Sequence, residues 1–304
     1  MENIIDPIDK TILKRELSQD KFLRKTRKGD NEIFVVDNWN APNVVQEIGR
    51  LREVTFRASG GGTGKSIDLD EYDTNEHCYK QLVLWSPEDE EIIGGYRFIK
   101  CQEAMGDLDH IQLSTTHYFD FSERFVNEFL PYTIELGRSW VQPNYQPGVN
   151  PRKGLFALDN IWDGLGALIK FNPEIKYFFG KVTMYPNYNT DCRDFLLHFM
   201  HHYFPDRDNL MKPFNPLIQS YDKTYVDSQL DGLDFKDGFK VLNGHVRDKG
   251  EFIPPLVNIY MNLSPTMRTF GTAVNPDFGN VEETGILVTI ADIFPDKKDR
   301  HINF

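Results

Sequence analysis

Charged side chains set inside apolar runs mark where this sequence could do chemistry. Arg97 stands in GGYRFI, Glu135 and Arg138 in TIELGRSW, and Arg52 in LREVTF. An unpaired charge buried in such a run is costly, so these groups are expected to pair with one another or with a ligand. Asp68, Asp70, Glu71 and Asp73 crowd four carboxylates into six residues and supply the obvious counter-charges. The cluster lacks the twelve-residue spacing, glycine and final glutamate of a calcium loop, and alone it reads as a solvated acidic turn. From the residues alone, a structural salt-bridge network and a ligand-binding cleft are equally open.

Other candidates are weaker. The run Gly60 to Ser66, GGGTGKS, approaches a phosphate-binding P-loop, but the pattern requires glycine where the chain has Ser59. It also requires a strand before and a helix after, whereas here a helical pattern precedes and IDLDEYD follows. A glycine turn that moves over a substrate is the better reading. His198 and His202 lie at i and i+4, a spacing that suits zinc, and His201 is beside them. No H-E-x-x-H glutamate accompanies them, so an ordinary helix surface is expected and no metal. The G-x-S-x-G signature of a serine hydrolase is absent.

The elements that must position these groups follow from periodicity. EIFVV reads as a strand, and Asn40 as the cap of a helix that starts near Pro42 and carries Val45, Ile48, Leu51 and Thr55 on one side. QLVLW (81–85) and IIGGYRFI (92–99), joined by a polar turn, predict a hairpin. YTIELGRSWV (132–141) and YFFGKVTM (177–184) read as strands; Leu155, Leu158, Trp162, Leu165 and Ile169 recur at helical spacing between them, and DCRDFLLHFMHHYF (191–204) reads as a further helix. After a polar excursion over about 205–250, order resumes at PPLVNIYMNL, with strands at RTFGTAV (268–274) and GILVTIADI (285–293). Strand and helix in that order imply an α+β or α/β fold with a mixed sheet flanked by helices. The expected organisation is a basic helical segment over 1–30, then one domain over 31–304 with an insertion at about 205–250.

The 304 residues are 40% hydrophobic, ample for a sizeable core. The opening MENIIDPIDK has no basic flank leading into an apolar run, so neither export nor membrane spanning is expected. Three scattered cysteines suggest no disulfide framework and point to the reducing cytoplasm. A net charge of -12 argues against nucleic acid as a partner. Between Asp9 and Lys28, however, eight basic residues face three acidic ones. Such a local basic face suits an acidic carrier protein or the inner membrane surface, although charge alone leaves a solvated helix face equally open.

The spaced set Arg52-x-x-x-Phe56, Asp70-x-x-Asp73, Arg97, Glu135-x-x-Arg138 resembles the pattern of acyl-homoserine-lactone synthases and their relatives, the ornithine-lipid, glycine-lipid and N-acyl amino acid synthases. LREVTF, DLDEYD, IIGGYRFI, IELGRSWVQPNYQ, KGLFALDNIWDGLGALI, YFFGKVTM and IPPLVNIYMNLS resemble, in order, the blocks of the lipid-forming branch that carries a hemolysin label. The resemblance covers roughly residues 30–204 and 250–293. It implies the GCN5-related N-acyltransferase (GNAT) fold and transfer of a long-chain acyl group, 3-hydroxylated in some relatives, to the amino group of an amino acid such as glycine or ornithine. No bound cofactor is implied, since the acyl group arrives on acyl carrier protein or coenzyme A. QPNYQPGVNPRKG departs from the usual pyrophosphate turn, which favours the carrier protein.

The residues can support such a reaction. Glu135 is the expected general base, Asp70 and Asp73 hold the acceptor ammonium, and Arg52, Arg97 or Arg138 its carboxylate. Phe56 and Trp140 line the substrate site, and N–H groups near Trp140 to Gln142 polarise the carbonyl. Arg152 and Lys153 meet the phosphopantetheine phosphate. Two alternatives are a lactone-type signal synthase and a non-catalytic lipid-binding or membrane-active protein.

Overall fold

Apolar runs of alternating orientation become the strands of one large sheet. The computed structural model describes residues 1–106, 111–154 and 156–303. Its strands are β1 (Phe22–Lys25), β2 (Glu32–Val36), β3 (Lys80–Ser86), β4 (Glu91–Lys100), β5 (Phe119–Phe121), β6 (Thr133–Val141), β7 (Tyr177–Met184), β8 (Met211–Pro213), β9 (Arg268–Asn275) and β10 (Val281–Thr289). The helices are α1 (Lys10–Glu16), α2 (Pro42–Ala58), α3 (Glu71–Thr74), α4 (Pro151–Gly154), α5 (Ala157–Phe171), α6 (Thr190–Tyr203), α7 (Lys223–Leu230), α8 (Phe235–Asp248), α9 (Pro255–Met261) and α10 (Pro295–His301). Eight strands hydrogen-bond in the order β1-β2-β3-β4-β6-β7-β10-β9, with β5 and β8 paired separately. Within that sheet β6 and β7 run parallel and the other neighbours antiparallel, giving the mixed, helix-flanked α+β sheet that the alternation predicts.

Successive strand side chains point to opposite faces, and the core divides accordingly. Phe34, Val83, Trp85, Ile92 and Trp140 pack against Val44, Val45, Ile48 and Leu51 of α2. Ile33, Leu82, Leu84, Ile93 and Leu136 meet Ile161 and Leu165 of α5 and Phe195 and Leu196 of α6 on the other face. Burying each such aliphatic side chain contributes about 1.5–3 kcal/mol, which holds both helix layers on the sheet. Pro42 opens α2, where its missing N–H costs nothing. Asn40 does not cap that helix. Its side chain accepts from the N–H of Asp37, and Glu16 of α1 instead accepts from the N–H of Val44 at 3.0 Å. A carboxylate at that position also favours the helix dipole.

The basic segment is α-helical over Lys10–Glu16, with one 3-10 turn over Gln19–Lys21. Phe22–Lys25 is instead the edge strand of the main sheet, because Phe22 has an apolar partner there, the Phe34 ring 5.7 Å away. The excursion over 205–250 holds α7 and α8, which bury Val226, Leu230, Leu242 and Val246 in the same core as α6. PPLVNIYMNL becomes α9. Among the described residues, no helix is long and apolar enough to cross a membrane.

Candidate active site

Six charged groups from α2, β4, β6 and the loop that ends in α3 converge beside the sheet. Arg52 Nε donates to Asp68 at 2.9 Å, and its Nη1 and Nη2 donate to Asp73 at 3.0 and 3.2 Å. Arg97 Nη1 reaches Asp70 at 2.7 Å and Asp73 at 3.1 Å. Arg138 Nε reaches Asp68 at 3.1 Å. Asp68, Asp73 and Arg52 are fully buried. Burial works to raise the carboxyl of Asp68, but Arg138 and Arg52 outweigh it and hold it below its usual range. The same contest leaves Asp73 well below that range, with Arg52 and Arg97 as its cations. The salt-bridge network adjoins a cavity, because one of its members, Arg138, also faces it.

That cavity exists because β6 and β7 part. Their parallel pairing runs only from Thr133 opposite Tyr177 to Leu136 opposite Gly180. Beyond Leu136 the strand keeps its partner β4 and loses β7. Gly137 pairs with Arg97 and Trp140 with Gly95, so Arg138 and Ser139 together oppose the single residue Tyr96. In this bulge Arg138 takes a left-handed backbone, φ 47°, a conformation that costs a residue with a side chain roughly 1–3 kcal/mol and gathers at functional sites. The wedge encloses about 460 Å³. Phe56, Trp140 and Phe278 line it from one core layer, Leu136, Tyr145 and Ala157 from the other.

The cavity is mostly apolar, with Arg138, Lys181 and Glu283 as its charged lining. Lys181 Nζ bonds the Glu283 carboxylate and lies 4.0 Å from the centre of the Tyr118 ring. Burial depresses the Lys181 ammonium, with Glu283 opposing. Burial and the Glu283 charge push the Tyr118 phenol up to about 12. Arg138 stacks 4.3 Å from the centre of Phe278.

Residues 51–152 match the family described as Acetyltransferase (GNAT) domain. A glycine N(alpha)-acyltransferase of Phocaeicola vulgatus is 56% identical over 304 residues, covering 99% of this chain and 93% of that protein. A second protein of that name, from Bacteroides thetaiotaomicron, is 53% identical over 307 residues, covering 99% and 90%. The chain belongs to this family of GNAT acyltransferases. No solved structure matches it. Membership removes the non-catalytic alternative.

Within this acyltransferase the expected site residues divide. Phe56, Trp140 and Arg138 line the wedge. Arg52, Arg97, Asp70 and Asp73 stand behind it, engaged with one another. Glu135 is fully buried beside them, outside the lining, with Tyr79 and Ser114 hydroxyls donating to one oxygen at 2.9 and 2.7 Å and Thr115 to the other at 2.7 Å. The N–H of Gln142 is already used, donating to Ile93 at 2.9 Å, so it cannot also polarise a carbonyl. Lys153 Nζ sits 2.5 Å from Asp89 at the cavity's edge, beside the Tyr145 ring. The expectations for the Arg152 side chain and for Leu155 lie outside the described residues.

The glycine turn is pinned to α2. Glu53, fully buried, accepts from the N–H groups of Thr63 and Gly64 at 3.0 and 2.8 Å and from the Thr63 hydroxyl at 2.8 Å. A carboxylate of the chain itself fills the place a phosphate takes in a P-loop. Sequence reasoning missed Lys181 and Glu283: Lys181 interrupts the apolar run YFFGKVTM just as Arg97 interrupts its own, whereas Glu283 stands in the polar NVEET ahead of an apolar run and carries no such signal.

Proposed function

We propose that this acyltransferase moves a long-chain acyl group from an acyl carrier protein thioester to the amino group of glycine, giving an N-acylglycine. The reading is supported by the two relatives that carry that name and by the wedge between β6 and β7. The wedge is the observation that carries it. Its lining is mostly apolar, as an acyl tail and pantetheine arm require, and includes one carboxylate and two cations, as a zwitterionic acceptor requires.

In this reading Glu283 receives the acceptor ammonium and takes its proton, while Lys181 or Arg138 turns to the carboxylate. The neutral amine, held within about 3.5 Å of the thioester carbon, attacks it and forms the C–N bond. Negative charge on the carbonyl oxygen is met by bulge N–H groups at 138–139. The C–S bond then breaks, and the proton lost from the newly bonded nitrogen goes to the departing thiolate, leaving the amide and a free thiol. Glu135 contributes from behind, since its charge also acts on Lys181. The test supplies purified protein with palmitoyl carrier protein, or palmitoyl coenzyme A, and isotopically labelled glycine, and follows the product by mass spectrometry. Labelled N-palmitoylglycine is expected, faster from the carrier protein. No amide product from either donor overturns the reading; equal efficiency from coenzyme A overturns the carrier preference.

A further inference from the structure

A second cluster of potential ligands lies on the helical side, formed by α6 and α7. His198 and His202, one turn apart on α6, meet Asp227 of α7 so that one donor atom from each falls within 4.8 Å of the others. His198 Nε2 is 2.8 Å from Asp227 Oδ1. Its other nitrogen, Nδ1, is 2.7 Å from the Tyr221 hydroxyl. That contact holds the ring with Nε2 facing the carboxylate; at 2.8 Å the two atoms share a proton, and a metal ion binds here by displacing it. A hydrogen bond from the far nitrogen of a histidine is also how metal-bound imidazoles are held.

We propose that His198, His202 and Asp227 bind a divalent transition-metal ion of the zinc type, with water completing the shell. Two imidazoles and a carboxylate are a donor set zinc accepts, at metal distances of about 2.0–2.2 Å. Ligand atoms around such an ion lie roughly 3.3 Å apart, so closing the site takes shifts of up to about 1.5 Å, and His202 and Asp227, both exposed, can make them. Lys223 is the cation that opposes it, since its charge also acts on His198. The ion would staple α7 to α6. That is useful because α7 has only eight residues and buries only Val226 and Leu230, too little for a helix of that length to hold on its own.

The experiment titrates cobalt(II) into untagged, chelator-treated protein and reads the visible d–d absorption, then displaces the cobalt with zinc. One equivalent should bind, and saturating zinc should raise Tm by about 5 °C. His202→Ala and Asp227→Asn change exposed side chains and leave the fold intact; each should weaken cobalt binding at least about tenfold and abolish the Tm rise. Absence of stoichiometric binding, or equal binding by His202→Ala, overturns the site and leaves an ordinary histidine–aspartate pair. The readout does not depend on acyl transfer, so it stands or falls separately from the proposed reaction.

Discussion

Arg52 has no exposed surface and divides its guanidinium between two equally buried carboxylates. Removing it leaves those charges short of a partner, which costs about 3–5 kcal/mol. Arg52→Met should therefore lower the urea midpoint sharply. Acid should act on the same network. Asp68 and Asp73 titrate below their usual range when folded, so the unfolded chain binds protons that the folded chain refuses. Their contribution is complete above about pH 4, the ordinary carboxylate value, and is lost as pH falls through the folded values. Urea unfolding between pH 7 and pH 3 should show that loss, and Arg52→Met should show less of it. Under the proposed chemistry, Glu283→Gln should cut kcat by about a hundredfold or more, and Glu135→Gln, outside the lining, should cost less; steady-state rates decide between the two carboxylates. The arginine–aspartate network was legible because each arginine interrupts an apolar run and the aspartates cluster in DLDEYD to supply the counter-charges. Lys181 interrupts a run in the same way and Glu283, within the polar NVEET, does not; they are 102 residues apart and only the pairing of β7 with β10 shows that they meet.

Helix α10 lies so close to α5 that a Cβ on Gly166 would come within 1.9 Å of the His301 carbonyl oxygen. Backbone cannot yield as a side-chain tip can, so Gly166→Ala should push α10 away and destabilise the protein by about 1–3 kcal/mol, measured by thermal or urea unfolding. At this scale most strands could be read in advance, since near-continuous apolar runs of five to ten residues, buried on both faces of the sheet, leave little choice. Over 205–250, α8 carried a signal that the polar residues around it masked, Phe235, Phe239, Leu242 and Val246 at helical spacing behind the Asp234 cap, whereas α7, which buries only Val226 and Leu230, is recognisable only once α6 offers it a surface. The cap of α2 was hidden for a similar reason, since Glu16 arrives from another helix. The wedge itself has no local signal. It depends on where β7 stops following β6, which no single strand records.

A chain with a net charge of -12 must gather what positive charge it has if it is to meet an acidic carrier. Part of the basic segment is already committed. Lys10 and Lys14 pair with Glu91 and Glu90, and Arg27 donates to carbonyls near the C-terminal helix. Lys28 instead stands 4.8 Å from the Phe156 ring centre, next to the start of α5. Under the proposed function, Lys25→Glu with Lys28→Glu should raise KM for the carrier-bound donor and leave a coenzyme A donor unaffected, and salt should do the same. Ala157→Phe, which fills the wedge from α5, should reduce turnover of long-chain donors more than short ones across a series of chain lengths. Because the opening between β6 and β7 is lined from both core layers, anything joined at its waist is threaded like a needle through cloth, with an ionic eye on one side and a greasy shaft on the other. Under the proposed function a product so placed leaves only lengthwise, so a pre-steady-state burst, showing release slower than bond making, should appear as the donor chain is lengthened.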